Sequence, residues 1–369
     1  MVKERDSIEG AIDNLLEVNL GVTEGEKILV LGDHGEEIPE PGLAPEVGDL
    51  VGRIHQGTSV VVYPSTGRSG VEPPEEAWRA AFGSRTVRNL SEKGILERLI
   101  SKTATEADLK EADEIVRAEE AVDVVIALSH HSTSHTEFRK LLTGSAGVRY
   151  GSMPHFHRDM FFGSMDVDWD SLAISTRTLA RAMEGVDQFE IKAENGTDIT
   201  MGATLRRINV DDGILTDVGS SGNLPAGEVF LAPVEGTAEG TMVIEWGPTS
   251  RLSSPMTVTL EKGRGVSVSG KNPDEVKWLE KLWAAHPDNN NIAELGIGTN
   301  PGATRPDSIL ESEKILGTVH IAFGDNHTFG GSVVAPFHLD FVIFRASLTA
   351  VWDTAGGRRV LLLDGKPGW

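Results

Sequence analysis

The residues best suited to chemistry lie near the end of the chain, in HIAFGDNHTFGGSVVAPFHLDFVIF, residues 320–344. His338 and Asp340 stand two positions apart in an apolar stretch typical of a strand, so both side chains point to the same face. An imidazole beside a carboxylate suits non-haem iron, zinc, cobalt or manganese. A surface ion pair is the alternative, but the apolar flanks predict a mostly buried strand, where an ion pair without a role is costly.

Two further histidines precede this pair. His320 lies in a second apolar run, TVHIAFGD, where a lone histidine is more often a satisfied core residue. The strand that carries His338 follows after a loop with two adjacent glycines, which favours a site shared by the two strands. His327 lies on that loop, where functional residues are common, although a histidine on a loop also needs no special explanation.

Two carboxylates occur at unusual positions in the second half. Glu228 stands at the start of an apolar strand in LPAGEVFLAP, and Glu294 lies inside a glycine-punctuated one in NIAELGIGTNP. Either residue alone could be a turn residue or a salt-bridge partner. With His320, His338 and Asp340 they make three carboxylates and two imidazoles, which is the inventory of a two-metal hydrolytic site.

The remaining histidines have simpler explanations available. His286 follows a helix-like segment, and a cation near a helix C-terminus is favoured. A separate group lies in the first half, in SHHSTSH and PHFH, and consists of His130, His131, His135, His155 and His157. Open α/β sheets bind ligands at the carboxyl ends of their strands, so His130 and His131, which follow the third apolar run, could contact a substrate rather than a metal. A solvated polar loop is the alternative.

The elements that must position these residues differ between the two halves. In the first half, the apolar runs KILVLGD, SVVVYP and DVVIALSHH alternate with helix-like segments, which predicts a parallel sheet covered by helices on both faces. After about residue 186, alternating segments surround an Asn-Gly turn, which signals antiparallel hairpins. We therefore expect an α/β protein with an N-terminal parallel-sheet domain over residues 1–185. A mixed, β-rich α+β domain over residues 186–369 would carry the metal site.

Composition narrows the class of function. The net charge of −22 argues against a nucleic-acid partner, because phosphate binding needs basic patches. The chain has no cysteine, so any metal must be held by His, Asp, Glu or water. No run of 18 apolar residues is present, and the start, MVKERDSIEGAIDNLLEV, predicts an amphipathic helix rather than a signal peptide. We expect a cytoplasmic protein that acts on a small peptide or another small molecule.

Four motifs in order resemble the aminopeptidase T family of metallopeptidases: LPAGEVFLAP, NIAELGIGTNPGA, ESEKILGTVHIAFGD and GGSVVAPFHLDFV. The resemblance implies a homodimer whose subunits each bind two divalent ions, zinc, cobalt or manganese. Carried over by motif, the implied ligands are Glu228, Glu294, His320, His338 and Asp340. Where that family has a tyrosine ligand, this chain has His327, which would be a ligand or a proton shuttle.

This resemblance makes a metal-dependent aminopeptidase the leading prediction, with Glu228, Glu294 and His327 as catalytic candidates. The metals would activate a water molecule and polarise the scissile carbonyl. The alternative is a mononuclear Fe(II) ring-cleaving enzyme, because the chain also resembles the 2,5-dihydroxypyridine dioxygenases. Their two His and one Asp would map to His338 and Asp340, with His286 as a candidate by spacing. A non-catalytic protein that keeps the fold is the third possibility.

Overall fold

The computed structural model describes residues 8–352 and 356–369. The helices in these ranges are α1 Ile8–Asn14, α2 Leu43–Ile54, α3 Glu75–Glu92, α4 Ile95–Ile100, α5 Glu106–Arg117, α6 Glu137–Gly144, α7 Trp169–Ala182, α8 Pro273–Ala284 and α9 Ile309–Ser312, with a π-helical turn at Leu15–Asn19 and a 3-10 turn at Arg158–Phe162. The strands are β1 Ile28–His34, β2 Thr58–Pro64, β3 Val124–Ala127, β4 Arg149–Ser152, β5 Gln188–Lys192, β6 Asp198–Gly202, β7 Asn209–Asp211, β8 Ser221–Asn223, β9 Glu228–Leu231, β10 Glu239–Trp246, β11 Arg251–Glu261, β12 Arg264–Gly270, β13 Ile292–Gly298, β14 Val319–Gly324, β15 His338–Ile343, β16 Ser347–Trp352, β17 Gly357–Leu363 and β18 Lys366–Pro367.

The chain forms two compact units. The first runs to Trp169 and includes Gly213–Pro225, and the second comprises Asp170–Asp212 and Ala226–Trp369. The composition shift near residue 186 coincides with the first hairpin, whereas the chain enters the second unit earlier, at the start of α7. Because α7 is amphipathic like the helices before it, composition does not mark this crossing. Whether each unit folds as an independent domain stays a prediction.

The first unit contains a five-stranded sheet in the order β2-β1-β3-β4-β8. All of its strand pairs are parallel. Strands β1 and β3 are apolar because helices cover both faces of such a sheet, and every residue of β3 is buried. The predicted parallel-sheet α/β region is confirmed. The chain places β2 on one side of β1 and the later strands, from β3 on, on the other side. Open α/β sheets usually bind ligands at such a switch point.

The second unit contains two antiparallel sheets. One has eight strands in the order β12-β11-β10-β6-β5-β16-β17-β18. The predicted Asn-Gly hairpin is its β5–β6 pair, in which Lys192 lies opposite Asp198. Gly196 at the turn has a φ of 103°, a conformation that residues with a side chain rarely adopt. The antiparallel character expected for the second half is therefore present.

The other sheet of the second unit has the order β15-β14-β13-β9-β7. Strands β13 and β14 are buried along their whole length. Their antiparallel register places Gly296 opposite His320 and Gly298 opposite Glu228, while Ala322 lies opposite Asp340. Burial on both faces explains why these strands are nearly continuous apolar runs, and it isolates the few polar residues within them.

The start of the chain agrees in part with its prediction. The predicted amphipathic helix corresponds to α1, which buries Ile8, Ala11 and Ile12 and continues into the π-helical turn. Residues 1–7 of that prediction lie outside the described part of the structure. Among the described residues, no helix combines the length and apolarity that a membrane span requires.

Candidate metal centre

Two groups of side chains in the second unit could hold a metal ion. One consists of Glu228, Glu294 and His320, and the other of Glu294, His338 and Asp340. Within each group, one potential ligand atom from every residue lies within 4.8 Å of the others. Glu294 belongs to both groups, so the five residues form one continuous cluster. All five were candidates on sequence grounds, and four strands of one sheet bring them together.

The two oxygens of Glu294 face different histidines. His320 Nε2 lies 3.2 Å from Glu294 Oε1, and His338 Nε2 lies 3.3 Å from Glu294 Oε2. The remaining carboxylates flank the pair: His320 Nε2 is 3.3 Å from Glu228 Oε2, and His338 Nε2 is 3.4 Å from Asp340 Oδ2. A carboxylate between two imidazoles can serve one cation or bridge two.

Several buried polar atoms of this cluster lack a hydrogen-bond partner. They are Glu228 Oε2, Asp340 Oδ1 and His320 Nδ1. Buried polar atoms in proteins nearly always form hydrogen bonds, so carboxylate oxygens without one, concentrated at one place, need an explanation. Oxygen and imidazole nitrogen are also the donors that divalent transition metals accept. The residues present therefore fit a bound divalent cation.

The electrostatics of the cluster favour positive charge. Burial acts to lower the pKa of His320, but the carboxylates of Glu294, Glu228 and Asp340 outweigh it and raise that pKa to about 9. Burial likewise opposes protonation of His338, yet Asp340 and Glu294 hold its pKa well above the usual range. Burial would raise the pKa of Glu294, whereas its hydrogen bonds with both histidines lower it. Such a cluster binds either protons or a metal ion.

His338 is oriented by the loop that precedes it. Its Nδ1–H donates to the carbonyl oxygen of Asp325 at 2.8 Å, which leaves Nε2 directed at Glu294 and Asp340. The ring of Phe329 packs edge-on against the imidazole with 5.7 Å between ring centroids. Hydrogen bonds of this kind fix the tautomer of metal-binding histidines. The His338 side chain remains 30% exposed, so the cluster is accessible from this side.

His320 occupies space that a neighbouring residue must leave open. Gly296 lies directly opposite it on β13, and a Cβ atom at that position would collide with the imidazole. A glycine inside a strand often marks such a close approach. The glycine in NIAELGIG therefore has a function that the sequence interpretation did not identify.

A buried lysine contacts one side of the cluster. Lys314 Nζ lies 2.6 Å from Glu228 Oε1, 3.2 Å from Glu313 Oε2 and 3.9 Å from Asp211 Oδ2. Burial and Asp340 raise the pKa of Glu313 to about 8, although Lys314 acts to lower it. Sequence reasoning missed these residues because ESEK looks like a solvated charged run. The apolar strand that follows the run was the available signal for burial.

Two predicted ligands lie apart from both groups. His327 is 49% exposed, and its Nδ1 lies 2.7 Å from Asp325 Oδ1, so its ring is already paired on the loop. His286 follows α8, where its Nδ1 accepts a hydrogen bond from the Asp288 backbone N–H at 3.3 Å. Among the residues that the structure describes, neither histidine belongs to a group of metal-binding geometry. His320 is instead the second imidazole of the site.

The histidines of the first half form a separate cluster in the first unit. The rings of His130, His131 and His155 lie 4.1 to 6.3 Å apart, measured between centroids. His157 is paired with Glu40, its Nδ1 being 3.1 Å from a carboxylate oxygen, and His135 is exposed. His130 and His131 lie just beyond β3, in agreement with the prediction that they follow a strand end, and His155 and His157 follow β4. Among the described residues, they do not form a group of metal-binding geometry.

Comparison with known families adds a direct sequence relation. A family model described as NicX, 2,5-dihydroxypyridine 5,6-dioxygenase, matches residues 102–351. That range covers more than half of the 369-residue chain and includes every residue of the candidate site. No curated protein matches the chain.

Two solved structures superpose on this chain along almost its whole length. A 2,5-dihydroxypyridine dioxygenase from Pseudomonas putida KT2440 superposes with a TM-score of 0.67 at 16% identity, covering 99% of this chain and 97% of that one. AmpT from Thermus thermophilus superposes with a TM-score of 0.62 at 15% identity, covering 98% of this chain and 99% of that one. At these identities the likeness shows the fold alone.

Proposed function

Because the chain belongs to the 2,5-dihydroxypyridine 5,6-dioxygenase family, we propose that it is a metal-dependent dioxygenase that opens the ring of a small hydroxylated aromatic compound. The family match, which spans the whole candidate site, is the observation that carries this proposal. The sequence motifs favoured the aminopeptidase over the dioxygenase, and the family match reverses that preference. In the proposed reaction both atoms of O2 enter the ring-opened product.

The proposed ligands are the two imidazoles His320 and His338, with Asp340 and Glu294 as carboxylates. Two histidines and a carboxylate are the ligand types of non-haem Fe(II) oxygenases. Bound Fe(II) would supply the oxygen chemistry that side chains lack. In this proposal His320 takes the role for which His286 was a candidate by spacing. Support comes from the shared Glu294, to which both rings are directed at 3.2 and 3.3 Å.

The protein's own contribution is orientation and restricted access. Burial of Glu228, Glu294 and His320 holds their side chains in one arrangement. The Asp325 carbonyl and the Phe329 ring orient His338, which is the more exposed of the two histidines. An aromatic substrate would approach on the side of His338, since His320 has no exposed surface.

A two-metal aminopeptidase, which would remove N-terminal residues from peptides with a metal-activated water, is the second candidate. The specific observation in its favour is the presence of two metal-binding groups that share Glu294. Three carboxylates and two imidazoles would suit two zinc, cobalt or manganese ions. The fold is also shared with the AmpT aminopeptidase.

Oxygen uptake separates the two candidates. Metal-free protein would be reloaded with Fe(II) under anaerobic conditions and mixed with 2,5-dihydroxypyridine and air-saturated buffer. We expect O2 and the ring absorbance to disappear in equal amounts, with no reaction for the metal-free and zinc-loaded controls. Asp340→Asn should abolish the uptake because it removes a proposed charged ligand.

The opposite pattern would reject the dioxygenase. If the zinc-, cobalt- or manganese-loaded protein releases amine from an aminoacyl anilide and the Fe(II) form consumes no O2, the hydrolase is correct. If a folded, metal-loaded protein does neither, the non-catalytic alternative gains.

A further inference from the structure

A long loop connects the two strands that carry the histidines of the candidate site. This β14–β15 loop spans residues 325–337, whereas typical hairpin loops have only about two to five residues. The Asp325 N–H donates to the Phe337 carbonyl at 2.9 Å, so the strands remain paired at the base of the loop. Loops of about 12 residues or more without secondary structure are uncommon in compact domains, and they are usually functional or disordered.

Asn326 organises the inside of this loop. It has no exposed surface, and its Oδ1 accepts the Val333 N–H at 2.8 Å. Its backbone N–H donates to the Val333 carbonyl at 3.1 Å, and its own carbonyl accepts the Gly331 N–H at 2.9 Å. Gly331 packs so closely on Asn326 that a Cβ atom there would collide with the amide side chain. The loop therefore folds as one compact body around Asn326.

A carboxylate and a guanidinium from outside the loop hold this body in place. The carboxylate is that of Glu235, between β9 and β10, and its Oε1 accepts the Ser332 N–H at 2.8 Å and the Asn326 side-chain N–H at 3.2 Å. The other oxygen of Glu235 pairs with Arg206, whose second terminal nitrogen donates to the Gly330 carbonyl at 2.5 Å. Both side chains are mostly buried, since 16% of Arg206 and 25% of Glu235 are exposed. One guanidinium therefore joins Glu235 to the backbone of the loop.

The anchored part of the loop carries a group that orients His338. Gly330, whose carbonyl Arg206 holds, directly follows Phe329 in the chain. The Phe329 carbonyl accepts the Asn209 side-chain N–H at 3.1 Å, so two consecutive carbonyl groups are fixed from outside the loop. Their positions determine where the Phe329 ring meets the His338 imidazole, 5.7 Å away between centroids.

We infer that Arg206 and Glu235 are positioning residues of the candidate metal centre, which hold the β14–β15 loop in the arrangement that fixes the direction of His338 Nε2. The inference rests on the proposed metal site, and it deepens it by naming residues outside the ligand set on which metal binding depends. The hydrogen bonds of the Arg206 and Glu235 side chains lead to each other and to the loop, so both residues act through the loop.

The pair is suited to this role because little of it is exposed. Ion pairs in full contact with solvent contribute little, since water screens them and both side chains must be ordered. Burial would raise the pKa of Glu235, but the Ser332 backbone N–H and the Arg206 guanidinium lower it, so the carboxylate stays charged. Removal of one partner from a mostly buried pair leaves the other charge uncompensated. Loss of Arg206 should therefore loosen the loop as well as remove one contact.

Cobalt binding tests the inference without relying on activity. Metal-free protein would be titrated with Co²⁺ by calorimetry, and the visible absorption of the bound ion would report its coordination. We expect Arg206→Met to lower Co²⁺ affinity about tenfold, at the lower end of the cost of about 10- to 100-fold for loss of a group that orients a ligand. The absorption band of bound Co²⁺ should also shift, because the His338 ring is less well oriented.

Two further variants complete the design. If Arg206→Met does not fold, Arg206→Met/Glu235→Gln removes the uncompensated charge and should show the same loss of affinity. Arg358→Met breaks another arginine–glutamate pair of the second unit, the one with Glu190, and it should leave Co²⁺ affinity and absorption at the wild-type values. Urea unfolding of the metal-free proteins separates a loss of stability from a loss of orientation.

The outcomes distinguish this inference from the proposed function. A folded Arg206→Met protein with wild-type Co²⁺ affinity or an unchanged absorption band would overturn the inference, whatever its stability in urea. Equal losses in Arg206→Met and Arg358→Met would also overturn it, since the effect would not depend on the loop. A wild type that binds no Co²⁺ would overturn the metal site and the inference together. The expected losses without oxygen uptake by the Fe(II) form would reject the dioxygenase while leaving the role of Arg206 intact.

Discussion

Each unit contains a cluster of histidines, and the two clusters have opposite electrostatics. In the first unit, burial, reinforced by the neighbouring imidazoles, lowers the pKa of His155 to about 4 and also lowers that of His130. In the second unit, burial acts in the same direction, but carboxylates raise the pKa of His320 to about 9 and hold that of His338 well above its usual range. The lowered pKa values keep His130 and His155 neutral at neutral pH, whereas the raised pKa values of His320 and His338 let these two rings retain a positive charge.

The difference lies in the carboxylates rather than in the histidines. The nearest buried acid in the first cluster is Asp33, whose Oδ1 accepts the backbone N–H of His130 at 2.8 Å. In the second cluster Glu228, Glu294 and Asp340 contact the rings directly. Imidazoles packed against each other repel a proton, and imidazoles among carboxylates attract a cation. A count of histidines along a sequence therefore does not locate a metal site.

Matched substitutions in the two clusters should have very unequal effects on metal binding. His338→Ala removes an imidazole from the candidate centre and should weaken divalent-metal affinity more than about 100-fold. Mutation of groups that only hydrogen-bond to a metal ligand already lowers metal affinity by about 10- to 100-fold, so loss of a ligand should cost more. His131→Ala in the first unit should leave affinity and stoichiometry unchanged. Titration calorimetry with Co²⁺ on metal-free protein measures both. Equal losses in the two variants would mean that the clusters do not differ as described.

The polar residues of the candidate centre were predictable because of where they lie. Glu294 and His320 are isolated in apolar strands, and a buried charge in such a place requires a partner. The two-residue spacing of His338 and Asp340 likewise predicted that they share a face. Strand alternation and apolar context were therefore sufficient to identify five residues that the structure groups together.

Other features of the site depend on contacts that a sequence does not reveal. Lys314 and Glu313 belong to a charged run, and only packing shows that the lysine is 1% exposed. His327 occupies the position where the resemblance implied a ligand, yet its ring is half exposed and paired with Asp325. The histidines after β3 could be placed at a strand end, but whether carboxylates surround them is a tertiary property.

Gly296 offers a sharper test of what holds the second cluster in place. Gly296→Ala adds a methyl group where the His320 imidazole lies, so the ring must move away from Glu294. We expect metal affinity to fall about tenfold, less than for loss of a ligand, because the imidazole is displaced but still present. Gly202→Ala, in another strand of the same unit, is a control for added volume. Unchanged affinity in a folded Gly296→Ala protein would show that His320 is not held against β13.

The smallest expected effect concerns stability at low pH, and it comes from the first cluster. The pKa of His155 is about 4 in the folded protein, below the value of about 6.5 in an unfolded chain. As pH falls, the unfolded state binds the proton first, so the stability contributed by neutral His155 is complete above about pH 6.5 and is lost toward pH 4. Because the ring is partly exposed, solvent screens it, and we expect neutral His155 to contribute only about 1 kcal/mol to the free energy of unfolding.

Substitution of His155 should remove that acid dependence without straining the backbone. His155 has a φ of 52°, and asparagine tolerates this left-handed conformation better than most residues. Urea unfolding of His155→Asn should therefore lose less stability between pH 7 and pH 5 than the wild type, by about 1 kcal/mol. His34→Asn changes an exposed histidine of the same unit and should behave like the wild type. A variant as acid-sensitive as the wild type would mean that folding does not lower the pKa of His155.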